Sequence, residues 1–195
     1  MGGALAVALL MLAAFFLFPN PAAGGAAAPC AGAIPFLSSM SGASCNLVRP
    51  LFSPGSGGDI VSMIRSARTS IDVEMYVFTD ENLARELAAA SARGVKVRVI
   101  LEPRVSSNNL NAIAAGLQDG GVEVRWASLR YQLTHTKMMI VDGKEALVGS
   151  INFSGAAQNK NREVGVELQG PALEKLQDVF EQDWKDASVI RTASD

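Results

Sequence analysis

The chain has very few cysteines and histidines, the side chains that hold structural zinc. Among its 195 residues there are two cysteines, Cys30 and Cys45, and a single histidine, His135. Two thiols and one distant imidazole do not make the four-ligand set of a structural zinc site, so we expect no bound metal and no other cofactor. The cysteines lie in a Gly-, Ser- and Ala-rich stretch. They either form a disulfide, as is plausible in an exported protein, or remain unpaired.

Charge is missing from the first 48 residues, which contain no Asp, Glu, Lys or Arg. An apolar run of 15 residues extends from Ala4 to Phe18. A membrane-spanning helix needs about 20 apolar residues, whereas the core of a signal peptide needs about 7–15. Residues 1–28 are therefore predicted to be a cleaved signal peptide or an uncleaved membrane anchor, with a buried core helix as the third interpretation. Both leading interpretations place the folded part outside the cytoplasm, as a periplasmic, secreted or membrane-anchored domain.

A broad basic surface is also missing, because the net charge is −2 and the pI is about 5.5. Any attraction for a polyanion must therefore be local. The hydrophobic fraction of 49% excludes global disorder. The length suits one domain of ordinary size. We predict a linker rich in Gly, Pro, Ala and Ser over residues 29–54, followed by a folded domain over residues 55–190.

The pattern from Gly57 onward alternates between helix and strand periodicity. Helical spacing follows Gly57, and a strand pattern of alternating apolar residues runs from Ser70 to Phe78. Two further helix–strand units follow, then two short strands around the turn pair Asp142-Gly143, another strand and a closing helix. This order predicts an α/β domain with a mixed β-sheet flanked by helices. The sequence shows no internal repeat.

The chemistry-bearing residues cluster in one stretch, LTHTKMMIVDGKEALVGSINFS. His135 and Lys137 are two positions apart, so in a strand their side chains would stand side by side. The pattern reads H-x-K, four residues, D, six residues, G-S-x-N. Its six positions are His135, Lys137, Asp142, Gly149, Ser150 and Asn152.

This pattern resembles the signature of the phospholipase D superfamily, the HKD phosphodiesterases. The strand–helix–strand stretch IDVEMYVFTDENLARELAAASARGVKVRVILE, the strand NREVGVEL and the closing FEQDW are similar to parts of the same family. The resemblance to the family covers about residues 55–187 of this chain. In the resemblance, Glu163 matches the acidic residue downstream of the motif.

The resemblance implies a metal-independent phosphodiester hydrolase that forms a phosphohistidine. His135, Lys137, Asn152 and Glu163 are the expected catalytic residues. Lys137, Gly149, Ser150 and Asn152 are expected to bind the phosphate, where small residues permit close approach and Lys137 supplies positive charge. Glu163 is the candidate for orienting the imidazole, or else a solvent-facing strand residue. Asp142 is assigned a supporting role as a turn and hydrogen-bonding residue.

The family mechanism uses two histidines, and this chain has one. The second His135 is therefore expected from a second copy of the chain, in a two-fold homodimer with one composite site. The small nucleases of the superfamily resemble this arrangement.

Nucleic acid and phospholipid both present a phosphodiester to such a site. Residues 130–162 contain five basic and two acidic residues, a local charge of five minus two, or +3. This favours a nonspecific endonuclease acting on DNA or RNA, although ordinary solvated surface charge is the plainer explanation. The alternatives are a phospholipase D or cardiolipin hydrolase held near a membrane by residues 4–18, and a noncatalytic phosphate- or membrane-binding module. The basic residues in this count are Arg130, Lys137, Lys144, Lys160 and Arg162, and the acidic residues are Asp142 and Glu145.

Polar loops at residues 104–110 and 155–161 are expected to border the cleft.

Overall fold

Eight strands and five helices make up the part of the chain that this computed structural model describes, residues 46–105 and 109–190. The strands are β1 (Leu47–Ser53), β2 (Ser70–Met75), β3 (Lys96–Leu101), β4 (Glu123–Trp126), β5 (Lys137–Val141), β6 (Glu145–Gly149), β7 (Glu163–Gln169) and β8 (Ser188–Val189). The helices are α1 (Gly57–Ser66), α2 (Glu81–Ala92), α3 (Leu110–Asp119), α4 (Gly155–Asn159) and α5 (Ala172–Asp186). None of these helices is long and apolar enough to cross a membrane. The apolar run at residues 4–18 and both cysteines lie outside the described residues.

The strands form one mixed sheet in the order β1-β7-β6-β5-β2-β3-β4-β8. β2, β3 and β4 run parallel, because the helices α2 and α3 return the chain to the same end of the sheet between them. β5, β6 and β7 are short strands, and each is antiparallel to its neighbours. A tight turn joins β5 to β6, whereas the segment that contains α4 joins β6 to β7. The predicted α/β class, with a mixed sheet flanked by helices, is confirmed.

Both faces of the sheet are covered, so the domain has two hydrophobic cores. On one face, α1, α2 and α3 pack buried side chains such as Leu87 and Leu117 against Val73 of β2. On the other face, α5 packs Phe180 against residues such as Met138 of β5. Successive residues of a strand point to opposite faces, so the apolar positions of β2 enter the first core and its charged positions enter the second.

The linker prediction is wrong for residues 47–53, which form the edge strand β1, antiparallel to β7 along its whole length. Leu51 is buried, whereas Phe52 beside it is 55% exposed. Pro50 is compatible with this strand because an edge strand has N–H groups that need no partner. The segment is short and contains a proline, so its periodicity alone does not indicate a strand. The short elements α4 and β8 are likewise not predicted.

A buried ion-pair network accounts for one charged position of β2. Asp72 accepts two hydrogen bonds from the Arg98 guanidinium of β3, at 2.7 and 2.9 Å. Arg98 also donates to Glu181 of α5 and lies 4.9 Å from the centre of the Phe180 ring. Because the guanidinium satisfies both carboxylates, the network joins two strands to the helix that covers them.

The second charged position of β2, Glu74, has no such partner. Its side chain is 1% exposed, and neither carboxylate oxygen has a hydrogen-bond partner among the described residues. Burial, together with the negative charge of Asp183, raises the pKa of Glu74 to about 7, and the nearby Thr136 hydroxyl opposes this only in part. The folded state therefore favours the protonated carboxyl group.

The Glu74 carboxyl group should make stability depend on pH near neutrality. Its folded-state pKa lies above the ordinary value of 4.5, so its contribution is fully present below pH 4.5 and is lost as the pH rises through 7. Glu74→Gln removes this titration. Relative to the natural chain, its unfolding free energy should therefore rise by up to about 3 kcal/mol between pH 5 and pH 8.5.

Urea unfolding at the two pH values measures this difference. Glu123→Gln, at an exposed position of β4, is the matched control and should show no such change between the two pH values. The buried amide that Glu74→Gln introduces carries its own cost, but that cost is the same at both pH values. A difference between Glu74→Gln and the natural chain that does not change with pH would contradict the assignment.

Candidate active site

Four strand ends meet at one edge of the sheet, and this edge carries most of the motif. β5 is antiparallel to β2 and β6, so its first residue, Lys137, pairs with Met75 at the end of β2 and lies beside the end of β6. β7 is antiparallel to β6, so the start of β7 also reaches this edge. The structure therefore brings together His135, Lys137, Ser150, Asn152 and Glu163.

The imidazole of His135 and the ammonium group of Lys137 stand side by side, as their spacing predicts. Lys137 Nζ lies 3.2 Å from His135 Nδ1 and 3.5 Å from Nε2, and it donates to the His135 carbonyl oxygen at 2.7 Å. His135 is exposed, whereas Lys137 is only 9% exposed. Burial lowers the pKa of Lys137, and the negative charge of Glu163 opposes this change.

His135 lies just outside the strand ladder, because β5 begins at Lys137, where the sequence pattern also begins it. The segment before β5 is nevertheless held to the end of β2, where Tyr76 N donates to the Thr136 carbonyl oxygen at 2.8 Å. His135 thus lies on a surface segment that is anchored immediately after it. This position exposes the imidazole more than a place within the ladder would.

An aromatic ring that the motif does not include completes this group. The Tyr76 ring centre lies 4.2 Å from that of His135, with the two planes at 49°. The same ring lies 4.8 Å from Lys137 Nζ. Tyr76 cannot be identified from the sequence, because its contact with His135 depends on the register of β2 against β5.

Glu163 is held by neighbours other than His135. The Ser150 hydroxyl donates to it at 2.5 Å, and the side-chain amide of Asn161 donates at 3.1 Å. These hydrogen bonds, with a smaller contribution from the charge of Lys137, lower the pKa of Glu163. Among the described residues of one chain, no hydrogen bond joins Glu163 to His135. The orienting role of Glu163 therefore stays a prediction.

Asn152 is fixed by the backbone that follows β2. Its Oδ1 atom accepts a hydrogen bond from Val77 N at 3.2 Å. The next residue, Phe153, accepts hydrogen bonds from Thr79 N and Asp80 N at 2.9 and 3.0 Å. Because the oxygen of the Asn152 amide is used in this way, its NH₂ group is the part available as a donor to a bound oxygen.

Gly149 is required for strand packing. A Cβ atom at this position would lie 2.4 Å from the Val164 carbonyl oxygen and 2.6 Å from Gly165 Cα, both in the backbone of β7. From the motif alone, Gly149 is expected to permit close approach by a phosphate. The structure gives a different reason, since the missing side chain leaves room for a neighbouring strand.

Asp142 lies at the other end of β5 from Lys137. Its carboxylate accepts hydrogen bonds from Arg68 N, Thr69 N and Ser70 N, at distances from 2.7 to 3.1 Å. Burial alone would raise the pKa of Asp142, but these N–H groups lower it to about 2. The contacts join the β5–β6 turn to the start of β2, so the structure does not bring Asp142 to the other motif residues.

The turn at Asp142-Gly143 is confirmed. Both residues have positive φ, 54° and 62°, as the two central residues of a type I′ turn require. Lys144 follows in this turn and therefore lies at the far end of the sheet. The predicted basic rim is thus wrong for Lys144. A count of charges along the sequence does not show that the turn of a hairpin lies at the opposite end of the sheet from the first residue of the hairpin.

The remaining basic residues lie in different places. Lys160 is exposed at the end of α4, and Arg162 donates to the Ser53 carbonyl oxygen at 3.1 Å, next to the start of β7. Arg130 lies within 3.5 Å of Asp186. The predicted border loop at residues 155–161 is wrong as a loop, because Gly155–Asn159 form the helix α4. The end of this segment lies next to the site, where Asn161 donates to Glu163. In the loop at 104–110, residues 106–108 lie outside the described residues.

The segment before His135 is tied down by a buried carboxylate. Glu102, immediately after β3, is 0% exposed and accepts a hydrogen bond from Thr134 N at 2.7 Å. Arg104 pairs with the same carboxylate and donates to the Tyr131 carbonyl oxygen at 2.7 Å. Burial alone would raise the pKa of Glu102, but these hydrogen bonds lower it. The backbone on both sides of His135 is therefore anchored.

Metal ligands do not gather at this edge. Across residues 46–105 and 109–190, no group of three or more His, Cys, Asp or Glu side chains could hold a metal ion.

Substitution of Gly149 distinguishes strand packing from phosphate access. Gly149→Ala places a methyl group against the backbone of β7, so the unfolding free energy should fall by about 2 kcal/mol or more. Gly155→Ala is the matched control, because a Cβ atom there meets nothing within 4 Å. Urea denaturation measures both variants. If Gly149→Ala keeps full stability but loses phosphodiester turnover, the glycine serves the substrate instead.

Comparison with known proteins identifies the same family that the motif resembles. Residues 60–184 match the family model described as "Cardiolipin synthase, PLD-like domain". Cardiolipin synthase A of Pseudomonas fluorescens is 31% identical in an alignment that covers 64% of this chain and 30% of that protein. The chain thus spans about a third of the length of the cardiolipin synthases it matches. Phospholipase D of Rickettsia bellii is 30% identical over 74% of this chain and 71% of that protein.

Solved structures share the fold. Nuc from Salmonella typhimurium, a phospholipase D family member, superposes with a TM-score of 0.70 at 28% identity, covering 75% of this chain and 99% of Nuc. NucT from Helicobacter pylori superposes with a TM-score of 0.67 at 23% identity, covering 74% of this chain and 99% of NucT, a likeness in fold alone. Because the family model matches residues 60–184, which are most of the chain, and the fold superposes on that of Nuc, the chain belongs to the phospholipase D superfamily.

Proposed function

We propose that this protein is a phosphodiester hydrolase that cleaves nucleic acid nonspecifically, without a metal ion, in a site formed by two copies of the chain. The observation that carries the proposal is the pairing of the only histidine, His135, with Lys137 at an exposed edge of the sheet. One imidazole with an adjacent ammonium group forms half of a site that needs two proton-handling groups.

The residues at the edge suit a two-step displacement. An imidazole nitrogen of one His135 attacks phosphorus, and a P–N bond forms as the P–O bond to the leaving alcohol breaks. The second His135, as the imidazolium, gives its proton to the leaving oxygen. That imidazole then takes a proton from water. The water oxygen attacks phosphorus, the P–N bond breaks, and a phosphate monoester leaves.

The other polar groups would hold the phosphate between the two histidines. Lys137 supplies positive charge beside the attacking imidazole, and the NH₂ group of Asn152 supplies a neutral donor. Ser150 donates its hydroxyl proton to Glu163 in this structure, so it acts at first by fixing the carboxylate. Because the Lys137 ammonium is largely buried, its field is less weakened by water than that of a surface lysine.

A homodimer supplies the second histidine. A two-fold axis places the same surface of two chains against each other, so one His135 from each subunit faces the other across the axis. The exposure of His135 supports this, because the imidazole is open to a partner rather than enclosed by its own chain. In this arrangement the two histidines are equivalent until one attacks.

Nucleic acid is the favoured substrate, and the name of Nuc, which is matched over 99% of its length, supports this choice. The exposed cation Lys160, three residues before the start of β7, supports contact with a polyanion that extends beyond the reacting phosphate. The cardiolipin synthases, in contrast, are matched over only about a third of their length.

Phospholipid is the second candidate, supported by the surface next to His135. Three apolar side chains in the preceding segment are exposed: Leu129 by 72%, Tyr131 by 45% and Leu133 by 40%. Such a group can enter a lipid surface. The phospholipase D of Rickettsia bellii, matched over 71% of its length, supports the same candidate. An uncleaved anchor at residues 4–18 would hold the site near a bilayer, whereas a cleaved signal peptide would release a periplasmic or secreted enzyme.

A metal-free assay of several substrates tests the proposal. In EDTA, the full chain should cleave plasmid DNA and RNA, and His135→Asn should lower turnover by about 10³-fold or more. Cardiolipin and phosphatidylcholine vesicles are assayed in parallel. Hydrolysis of lipid alone would move the substrate to phospholipid. Retained binding of phosphodiesters without turnover of any substrate would indicate a noncatalytic binding module.

Mixed dimers test the composite site. Natural and His135→Asn subunits are co-expressed in equal amounts, so that they assort at random. If each site needs two histidines, the mixture should have about a quarter of the activity of the same total number of subunits when all of them are natural, because only natural homodimers work. Independent sites would retain about half. The second result would contradict the shared site without affecting the assignment of His135.

Two lysines at opposite ends of the sheet provide a matched test of the nucleic-acid contact. Lys160→Ala should weaken DNA binding and reduce the slope of log K against log salt by about 0.9, as expected for one lost phosphate contact. Lys144→Ala makes the same change of charge at the far end and should leave the slope unchanged. Equal effects of the two substitutions would indicate that only net charge matters.

A further inference from the structure

The Tyr76 ring contacts both charged groups of the motif, although it lies outside the motif itself. Its centre is 4.2 Å from the His135 ring centre and 4.8 Å from Lys137 Nζ. We propose that Tyr76 is a positioning residue whose ring sets the orientation of the His135 imidazole beside the Lys137 ammonium group. The kinetic part of this inference rests on the proposed function, whereas its geometric part does not.

His135 needs an orienting contact of this kind. Among the described residues of its own chain, the imidazole nitrogens contact only Lys137 Nζ, and the carboxylate of Glu163 is held by Ser150 and Asn161. A surface imidazole with one such contact is free to rotate about its χ2 torsion. Packing against a tilted aromatic ring removes much of this freedom, because the edge of one ring prefers the face of the other.

The same ring suits the positive charge of Lys137. An ammonium group within about 6 Å of an aromatic ring centre is attracted to the ring face. Lys137 is largely buried, and burial lowers its pKa, so an additional attraction favours the charged form that binds a phosphate. One ring thus holds a nucleophile and a cation side by side despite the loss of water around the cation.

The position of Tyr76 is fixed by hydrogen bonds to the segment that carries His135 and Lys137. Its N–H donates to the Thr136 carbonyl oxygen at 2.8 Å, between His135 and Lys137. The next residue, Val77, donates from its N–H to Asn152 Oδ1 at 3.2 Å. The two residues after β2 therefore bind the backbone beside His135 and the side chain of Asn152, the proposed hydrogen-bond donor to the phosphate. These contacts fix where the Tyr76 ring can lie.

Nuclear magnetic resonance tests the contact without any assay of activity. The chain has one histidine, so a protein without a polyhistidine tag gives one set of imidazole signals. In the natural full chain, those protons should show nuclear Overhauser effects to the Tyr76 ring. They should also carry an upfield ring-current shift that Tyr76→Phe retains and Tyr76→Leu loses. Absent Overhauser effects, or a shift equal in all three proteins, would overturn the proposal.

Kinetics then test the positioning role. Tyr76→Leu should lower kcat by at least about 10-fold, because a misdirected nucleophile can cost up to about 100-fold, with KM changed by less than about 3-fold. Tyr76→Phe keeps the ring and should stay within about 3-fold of the natural kcat. An equal loss in both variants would assign the effect to the hydroxyl and overturn the ring's role. An unchanged kcat in Tyr76→Leu would do the same.

The resonance test and the kinetic test together distinguish failure of this proposal from failure of the proposed function. If the natural chain cleaves no phosphodiester, the function fails while the resonance data still decide whether the ring holds the imidazole. If Tyr76→Leu does not fold, the Overhauser effects in the natural chain and the kinetics of Tyr76→Phe remain decisive.

Discussion

The antiparallel pairing of β5 between β2 and β6 is the constraint on which the rest of the site depends. It places the start of β5 beside the ends of both neighbours, so residues from three segments meet at one edge. A slip of one residue in this register would send the Lys137 side chain to the opposite face of the sheet, because side chains alternate along a strand. The position of the ammonium group is thus set by hydrogen bonds of the backbone.

This constraint also explains the spacing of the motif. The four residues between Lys137 and Asp142 are the rest of β5, and the six residues between Asp142 and Gly149 hold the turn and most of β6. Asp142 binds three N–H groups just before and at the start of β2, so it locks the register from the end opposite Lys137. Gly149 lets β7 come close enough to bring Glu163 to the edge. Two of the six motif residues therefore shape the hairpin.

Much of the fold follows from local patterns, whereas the contacts of the site do not. Alternation in β2 and the turn pair Asp142-Gly143 are visible in the sequence, and the structure confirms both. The edge strand β1 is not visible, because its pairing with β7 joins residues more than a hundred positions apart. Tyr76 and Lys144 show the same limit. Whether each lies near His135 depends on strand direction and register, which hydrophobic periodicity does not contain.

The anchoring of the His135 segment connects the fold to the proposed dimer. A nucleophile that must face an identical partner has to be exposed, and exposure deprives it of the packing that holds a core side chain still. In this chain, contacts to the backbone on both sides of His135 and to its ring supply the rigidity. Glu102 holds the backbone at Thr134, Tyr76 N holds it at Thr136, and the Tyr76 ring packs against the imidazole. The imidazole can therefore remain open to a second subunit while its attachment is fixed, which is the condition that a site shared across a two-fold axis requires.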